Sequence, residues 1–206
     1  MNKNRVEALS DGVFAIVMTL LIFDVHVPSL PADASNADLW AALGALWPIF
    51  SSFFFTFLVL SVFWINHHFL FNSFLKEVDR KINLYNLLYL LFLVFVPFSA
   101  RLIGAFPGSG PAALIYGLNI LAVVVLLRLM IIHVRHHPEL GKEISSRLVK
   151  QSTIRTLLTI FSYVAGIICS LVYIPASIFF YLFPMLFNII PGTLNLFERI
   201  FNFELT

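Results

Sequence analysis

Six long apolar segments recur along this chain of 206 residues, and they restrict the folds open to it. A helix needs about 20 apolar residues to cross about 30 Å of hydrocarbon, because each residue advances it by only about 1.5 Å. Turns containing Pro28, Pro31 and Pro175 separate several of the segments. The segments lie near residues 8–27, 40–66, 82–105, 111–133, 153–174 and 177–197. The sequence therefore predicts an all-α integral membrane protein with six transmembrane helices in a single domain, residues 1–206.

The composition agrees with a membrane protein and argues against several other classes. Hydrophobic residues make up 60% of the chain and charged residues 12%, whereas soluble domains are about half apolar and about a quarter charged. The single cysteine, Cys169, permits neither an internal disulfide nor a thiolate metal site. The net charge of +2 is too small and too scattered to indicate nucleic-acid binding. No phosphate-binding loop or nucleophile elbow occurs, so we expect no enzyme activity, no cofactor and no fixed metal ion.

Lysine and arginine concentrate in alternate connections, and this asymmetry predicts how the helices are oriented. Basic residues lie before the first span, between the second and third, and between the fourth and fifth: Lys3, Arg5, Lys76, Arg80, Lys81, Arg135, Lys142, Arg147, Lys150 and Arg155. Of the other connections, residues 28–39 carry Asp33 and Asp38 without a base, and Arg101 lies near one helix end. Because cytoplasmic connections are rich in Lys and Arg, we predict that both termini are cytoplasmic.

The first span brings ionisable residues directly into its apolar run. Charged groups such as Asp11 at that depth usually mark function. An acid at the start of a helix is also stabilised by the helix dipole, so a purely structural role for Asp11 stays open. A basic start and an apolar stretch also fit a secretory signal peptide, but Ser10-Asp11-Gly12 is an unusual beginning for such a segment.

One side of the first span is a continuous apolar stripe. Its members are three or four residues apart, so at about 100° per residue they share one face of a helix. They are Val13, Ile16, Leu20, Phe23 and Val27. The stripe fits the lining of a symmetric pore, but periodicity alone favours an ordinary packing face against neighbouring helices.

The beginning of this span resembles the signature of the transmembrane protein 175 family of potassium channels. The family pattern is Arg/Lys-x-x-x-Phe-Ser-Asp. Arg5, Ser10 and Asp11 match it, and Leu9 stands at the Phe position. With one six-helix unit, the chain resembles the prokaryotic single-repeat members, which need four copies to build a pore.

The resemblance implies a homotetramer in which four copies of the first helix surround the ion path. Rings of bulky apolar residues then form its narrowest part, and on this chain they fall on Ile16, Leu20 and Phe23. Thr19 lies beside them. The resemblance also implies that K⁺ is the permeant ion. Asp24 follows Phe23 directly, and we expect it to raise the local cation concentration at the outer mouth of the pore.

A second cluster lies at the end of the second span. His68 and Asn72 are four residues apart, share one helix face and resemble a His-x-x-x-Asn pair of the family. In the family these groups join the Arg and Ser-Asp of the first helix in a hydrogen-bonded network near the cytoplasmic side. The resemblance therefore implies a structural polar network of Arg5, Ser10, Asp11, His68 and Asn72.

The sequence thus predicts a potassium-preferring cation channel, which also passes other monovalent cations, in a lipid bilayer. Two alternatives remain: a secondary transporter, for which Asn86, Asn119, Pro97 and Pro184 are possible helix interruptions, and a non-conducting membrane scaffold. The short chain, its single repeat and the absence of a targeting extension indicate a bacterial inner membrane.

Overall fold

The computed structural model describes residues 2–142 and 145–189, and those ranges are helical apart from turns and one isolated β-bridge. The α-helices follow in the order α1 (Lys3–Leu20), α2 (Asn36–Ala45), α3 (Trp47–Phe69), α4 (Arg80–Val94), α5 (Val96–Ala105), α6 (Gly110–His136), α7 (Ser146–Ser170) and α8 (Ile174–Ile189). A 3₁₀ turn extends α1 to Asp24, and a π turn extends α3 to Phe74. The all-helical prediction is confirmed.

Within the described ranges, five helical stretches are long and apolar enough to cross a membrane. They are Lys3–Asp24, Trp47–Phe74, Arg80–Ala105, Gly110–His136 and Ser146–Ser170. The shorter apolar helix α8 carries Pro175 in its first turn. The sixth predicted span, 177–197, continues past Ile189, and its last part lies outside the described residues.

The second span begins later than predicted. Residues 40–45 belong to α2, a separate short helix with no buried residue, rather than to the spanning helix. The main chain turns at Leu46, and Pro48 occupies the first turn of α3. Proline has no N–H to continue an existing helical ladder, but it is well suited to a first turn, and this explains the boundary.

The third predicted span, 82–105, is two helices joined at Phe95 rather than one. Pro97 lies in the first turn of α5 and interrupts the hydrogen-bond ladder there. A buried amide from α6 satisfies the interruption. Oriented to suit its neighbours, Asn119 donates to the carbonyl of Phe92 at 3.1 Å and accepts from the N–H of Val96 at 3.3 Å. The side chain of Asn119 therefore satisfies backbone groups that the break between α4 and α5 leaves without a helical partner.

Helix α7 begins seven residues before the predicted span at 153. The side chain of Ser145 accepts a hydrogen bond from the N–H of Leu148 at 3.4 Å and so caps the helix. No proline or glycine follows until Gly166, so nothing delays the helix. As a result Arg147, Lys150 and Arg155 lie on α7 instead of in a basic loop.

The connections predicted to share one side of the membrane lie at the same end of the bundle. The amino group of Lys3 donates to the carbonyl of Leu75 at 3.1 Å. Leu75 also forms the β-bridge with Gly141, so the α3–α4 and α6–α7 connections pair directly. At the opposite end, Asp24 and Arg101 approach to 3.4 Å. We call these the inner end and the outer end.

The core is centred on α6, which packs against α4, α5, α7 and α8. Small residues allow the later helices to approach closely, as is common between membrane helices. A Cβ atom at Gly117 on α6 or Gly166 on α7 would collide with the ring of Tyr181. The Tyr181 hydroxyl donates to the carbonyl of Ala113 at 2.9 Å, which fixes α8 against α6.

Candidate functional site

Helix α1 has one side packed into its own subunit and one side left open. The packed side consists of Val6, Ser10, Phe14, Val17 and Leu21, which are all buried. The residues predicted to form the constriction are exposed in the single subunit: Ile16 by 60%, Leu20 by 43% and Phe23 by 71%. Large apolar side chains left open in this way must be covered by lipid or by another protein surface. Apart from Val13, which is partly buried and packs against the core, the stripe is therefore not a packing face within the subunit.

Thr19 lies on the open side as well, but its hydroxyl is already engaged. It donates within its own helix to the carbonyl oxygens of Ala15 and Ile16, each at 2.9 Å. Such backbone-directed bonds satisfy a hydroxyl in an apolar region without an outside partner. The methyl group of Thr19 completes the open face.

Three fully buried polar side chains connect α1 to α3 and α4. Asn86 of α4 donates from Nδ2 to the hydroxyl of Ser10 at 3.0 Å, and its Oδ1 accepts from Nε2 of His67 at 2.8 Å. The Ser10 hydroxyl in turn donates to the carbonyl of Val6 at 2.9 Å. All three side chains have no exposed area. We call Ser10, His67 and Asn86 the buried polar triad.

The triad fixes the hydrogen positions of the His67 ring. Because Asn86 Oδ1 accepts, Nε2 of His67 carries the hydrogen, and Nδ1 lacks a partner among the described residues. The ring stacks on Phe71 and Tyr89, with centroids 4.4 and 5.3 Å away, and Phe14 of α1 approaches it from the side. Aromatic contacts therefore hold the imidazole in the plane that its hydrogen bond needs.

A second and more exposed pair of contacts joins α1 to α3. Nε1 of Trp64 donates to Oδ1 of Asp11 at 2.9 Å. Nδ1 of His68 lies 3.5 Å from the carboxylate of Glu7, and the His68 ring stacks on Trp64 with centroids 5.6 Å apart. Asp11 of α1 therefore pairs with Trp64, and His68 of α3 with Glu7, in a more exposed layer than the buried triad.

The structure separates the other two residues of the predicted network from the triad. Arg5 is exposed in the first turns of α1. Asn72 is exposed too, and its described contact uses the main chain, whose carbonyl accepts from Lys142 Nζ at 2.7 Å. The cause is the π turn at the end of α3, where the Leu75 N–H bonds to Leu70 five residues earlier. Because this turn is wider than an α-helical turn, Asn72 no longer shares a helix face with His68.

Sequence reasoning did not place His67, Asn86 or Glu7 in the polar contacts of α1. A signal for His67 was present, because Phe63 and Phe71 lie four residues on either side of it and mark the buried face of the helix. His68 instead shares its face with Trp64 and Asn72. Asn86 likewise stands in phase with the apolar residues Ile82 and Leu90. A polar side chain in register with a buried face indicates an internal hydrogen bond.

At the outer end, Asp24 is paired rather than isolated. Its carboxylate lies 3.4 Å from Nη1 of Arg101, and the side chain of Asp24 is the more buried of the two. Asp38 caps α2 together with Ser35, and hydrogen bonds from the Ser35 hydroxyl and N–H lower the pKa of Asp38. Asp33 is exposed.

At the inner end, Asp79 connects α4 to α6. Its Oδ1 accepts from the N–H of Ile82 at 2.7 Å, which caps α4, and its Oδ2 lies 2.7 Å from Nε2 of His133. Burial opposes the charged carboxylate, but these hydrogen bonds outweigh it and lower the pKa of Asp79. The ring of His137 contacts that of His133 in a tilted arrangement, with centroids 4.5 Å apart. The described residues contain no group of three or more His, Cys, Asp or Glu suited to hold a metal ion.

These features define a multi-pass helical membrane protein whose first helix keeps one apolar face open. Residues 5–97 match the model of the family described as endosomal/lysosomal potassium channel TMEM175. A potassium channel of a Chryseobacterium species is 30% identical over 195 residues, which cover 93% of this chain and 94% of the relative. A potassium channel of Streptomyces collinus is 42% identical over 130 residues, or 61% of each chain.

A solved structure supports the same assignment. The crystal structure of a lysosomal potassium-selective channel TMEM175 homolog from Chamaesiphon minutus matches with a TM-score of 0.77 and 27% identity. The match covers 91% of this chain and 96% of that chain. The chain therefore belongs to the TMEM175 family of ion channels. Membership confirms the predicted resemblance and the prediction that the protein is not an enzyme.

Removing the central amide of the triad is expected to destabilise the fold. The substitution Asn86→Ala removes the partner of both Ser10 and His67 inside the protein, so we expect a loss of about 1–2 kcal/mol in the free energy of unfolding. Denaturant unfolding in mixed micelles measures it. Asn83→Ala makes the same chemical change at a half-buried position one turn earlier and serves as the control. Equal losses for the two variants would contradict a special role for the triad.

The contacts of Asp79 predict a pH-dependent stability. Because folding lowers its pKa, the carboxylate stabilises the fold above the ordinary aspartate pKa of about 4, and this contribution is lost as the pH falls through the lower folded-state value. Asp79→Asn keeps a helix cap and removes the charge. We therefore expect it to be less stable near neutral pH and to lose less stability on acidification. Thermal unfolding from neutral pH to about pH 3 tests this. The exposed Asp33→Asn variant should follow the wild type.

Proposed function

We propose that this protein is a potassium-preferring cation channel and that four copies surround a central ion path lined by α1. The observation that carries the proposal is the open stripe of Ile16, Leu20 and Phe23 on a helix whose other side is packed. Either lipid or further copies of the chain must cover such a stripe. The stripe lies inside the segment that matches the channel family, and the bacterial relatives are named potassium channels, which favours further copies.

The apolar stripe explains the kind of selectivity we propose. Side chains such as those of Ile16 and Leu20 offer no oxygen atoms to replace the water around an ion. An ion therefore passes either with part of its water shell or through a widened ring, and discrimination is modest. Potassium is favoured over sodium because it gives up water more easily. A narrow apolar ring also closes to ions when water leaves it, so the same residues form the gate.

The buried triad sets which face of α1 meets the ion path. Ser10, on the packed side, is hydrogen-bonded to α4 and through it to α3. Rotation of α1 by one residue position, about 100°, would break these bonds and remove Ile16 from the axis. In this proposal His68 and Asp11 support the same orientation from the surface, and the exposed Arg5 and Asn72 face neighbouring subunits.

We also propose the orientation of the protein in a bacterial inner membrane. The basic connections meet at the inner end through Lys3, Leu75 and Gly141, so the positive charge gathers on one side of the bundle. Cytoplasmic sides carry that excess of positive charge. The amino terminus is then cytoplasmic, and an even number of six crossings brings the carboxyl terminus to the same side.

Replacing the proposed gate residue should change ion flux. In liposomes loaded with K⁺, Ile16→Asn is expected to raise flux severalfold, because a polar ring keeps the constriction wet. Ile22→Asn makes the same substitution at another exposed position of the first span, 47% exposed and off the stripe, and should leave flux near the wild-type level. Wild-type K⁺ flux should exceed Na⁺ flux under the same gradient.

Several outcomes would contradict this proposal. Equal effects of Ile16→Asn and Ile22→Asn would remove the gate from the stripe. Silence of the wild type and both variants with either ion would favour a transporter or a scaffold. The closed break between α4 and α5, with its backbone groups satisfied by Asn119, offers a transported substrate no open site there.

The outer ion pair predicts opposite effects of two neutralising substitutions. Asp24→Asn removes a negative charge near the proposed mouth and should lower inward current, whereas Arg101→Gln unmasks Asp24 and should raise it. Both effects should be larger near 0.01 M salt, where the Debye length is about 30 Å, than near 1 M, where it is about 3 Å. Single-channel recording at the two ionic strengths tests this. Changes of the same sign, or changes independent of salt, would exclude an electrostatic role for Asp24.

A further inference from the structure

A cavity of about 350 Å³ lies between α3, α6, α7 and α8, away from α1. Its volume is within the range of small-molecule sites, about 300–1,000 Å³. One face of α7 lines it from Leu148 to Tyr163, a rise of about 22 Å at about 1.5 Å per residue. The cavity is therefore long and narrow and runs along the axis of α7.

The two halves of the cavity differ in chemistry. The half nearer the inner end contains most of the polar side chains, beside apolar ones such as Phe74, Ile131 and Leu148. The polar side chains are Asn66, Gln151, Ser152, Arg155 and Asn188. The half nearer the outer end is mainly apolar and includes Val59, Val62, Phe63, Val124, Leu127 and Met185. The hydroxyl of Thr159, between the two halves, donates to the carbonyl of Arg155 at 2.8 Å and accepts from Nδ2 of Asn188 at 3.5 Å, so it is satisfied within the protein. An occupant must match this division.

Arg155 supplies a cation at the polar half without a matching anion. Its Nε atom is buried and has no hydrogen-bond partner among the described residues. No Asp or Glu lines the cavity. Residues 145–189, which form α7 and α8, contain Arg147, Lys150 and Arg155 but no acid. A partly buried guanidinium with an unused donor is expected to bind an anion, and phosphate matches its geometry.

We propose that this cavity binds an anionic phospholipid of the surrounding bilayer, with its phosphate on Arg155 and an acyl chain along the apolar half. Charge, length and the order of polar and apolar lining all agree with this occupant. The polar half lies toward the inner end, where the basic connections gather, and basic pockets between transmembrane helices on that side suit anionic headgroups. The proposal does not depend on conduction, because the site is separate from the stripe on α1.

Native mass spectrometry of the purified full-length protein tests the proposal directly. After delipidation in detergent, phosphatidylglycerol and phosphatidylcholine with identical acyl chains are titrated against it, and bound lipid per subunit is counted. The wild type should prefer phosphatidylglycerol. Arg155→Gln should weaken phosphatidylglycerol binding at least about tenfold, as expected for a lost hydrogen bond to a charged group, and leave phosphatidylcholine binding unchanged.

Two further variants distinguish binding inside the cavity from a general effect of positive charge on the protein. Thr156→Phe fills part of the cavity and keeps Arg155, so it should also weaken phosphatidylglycerol binding. Arg135→Gln removes the same charge from an exposed position on α6 outside the cavity and should have no effect. Equal losses for Arg155→Gln and Arg135→Gln would overturn the proposal.

The same spectra test two other occupants. The chain's own residues 190–206 include Glu198, and if that acid is the partner of Arg155, Glu198→Gln should strengthen phosphatidylglycerol binding. Such a gain would overturn the proposal. If another copy of the chain fills the cavity, Arg155→Gln should lower the number of subunits in the particle without changing lipid binding, which would also overturn it.

Discussion

The hydrogen bonds among Ser10, His67 and Asn86 hold the first helix in a defined rotation, and much of the molecule is arranged around them. They are buried completely, so water offers none of the three side chains an alternative partner. Aromatic rings on α1, α3 and α4 surround the imidazole of His67 and exclude other rotamers. A small polar group inside an apolar bundle thereby specifies a geometry that apolar packing alone leaves free.

This rotation determines which residues of α1 remain outside the core. With Ser10 and Phe14 inside, the helical repeat turns Ile16 and Phe23 outward. The stripe therefore lies open because the buried contacts fix the opposite side of the same helix. Membership of the TMEM175 family gives that stripe a functional context, and the proposed pore and gate follow from it.

The sequence predicted the helical class and the family resemblance because both depend on patterns along the chain. The periodicity of the stripe alone favoured a packing face, and only the resemblance indicated that it lies open. Apolar length indicates a spanning helix, and the signature at Arg5, Ser10 and Asp11 is local. Individual contacts were harder to predict. The resemblance to a His-x-x-x-Asn pair indicated His68 and Asn72 on one face of a regular helix, and the π turn between Leu70 and Phe74 changes that geometry. Pro48 and Pro97 shifted or divided the predicted spans, since the breaks depend on which neighbours satisfy the freed backbone groups.

The division of the third span into α4 and α5 has a mechanical consequence for the first helix. Helix α4 contacts the inner part of α1 through the hydrogen bond of Asn86 to Ser10, and helix α5 contacts its outer end through Arg101 and Asp24. A small change of angle at the joint near Phe95 would therefore tilt α1 relative to the bundle while both contacts persist. The amide of Asn119 on α6 bonds to Phe92 and Val96 on the two sides of this joint, so a residue that does not touch the first helix contributes to its tilt.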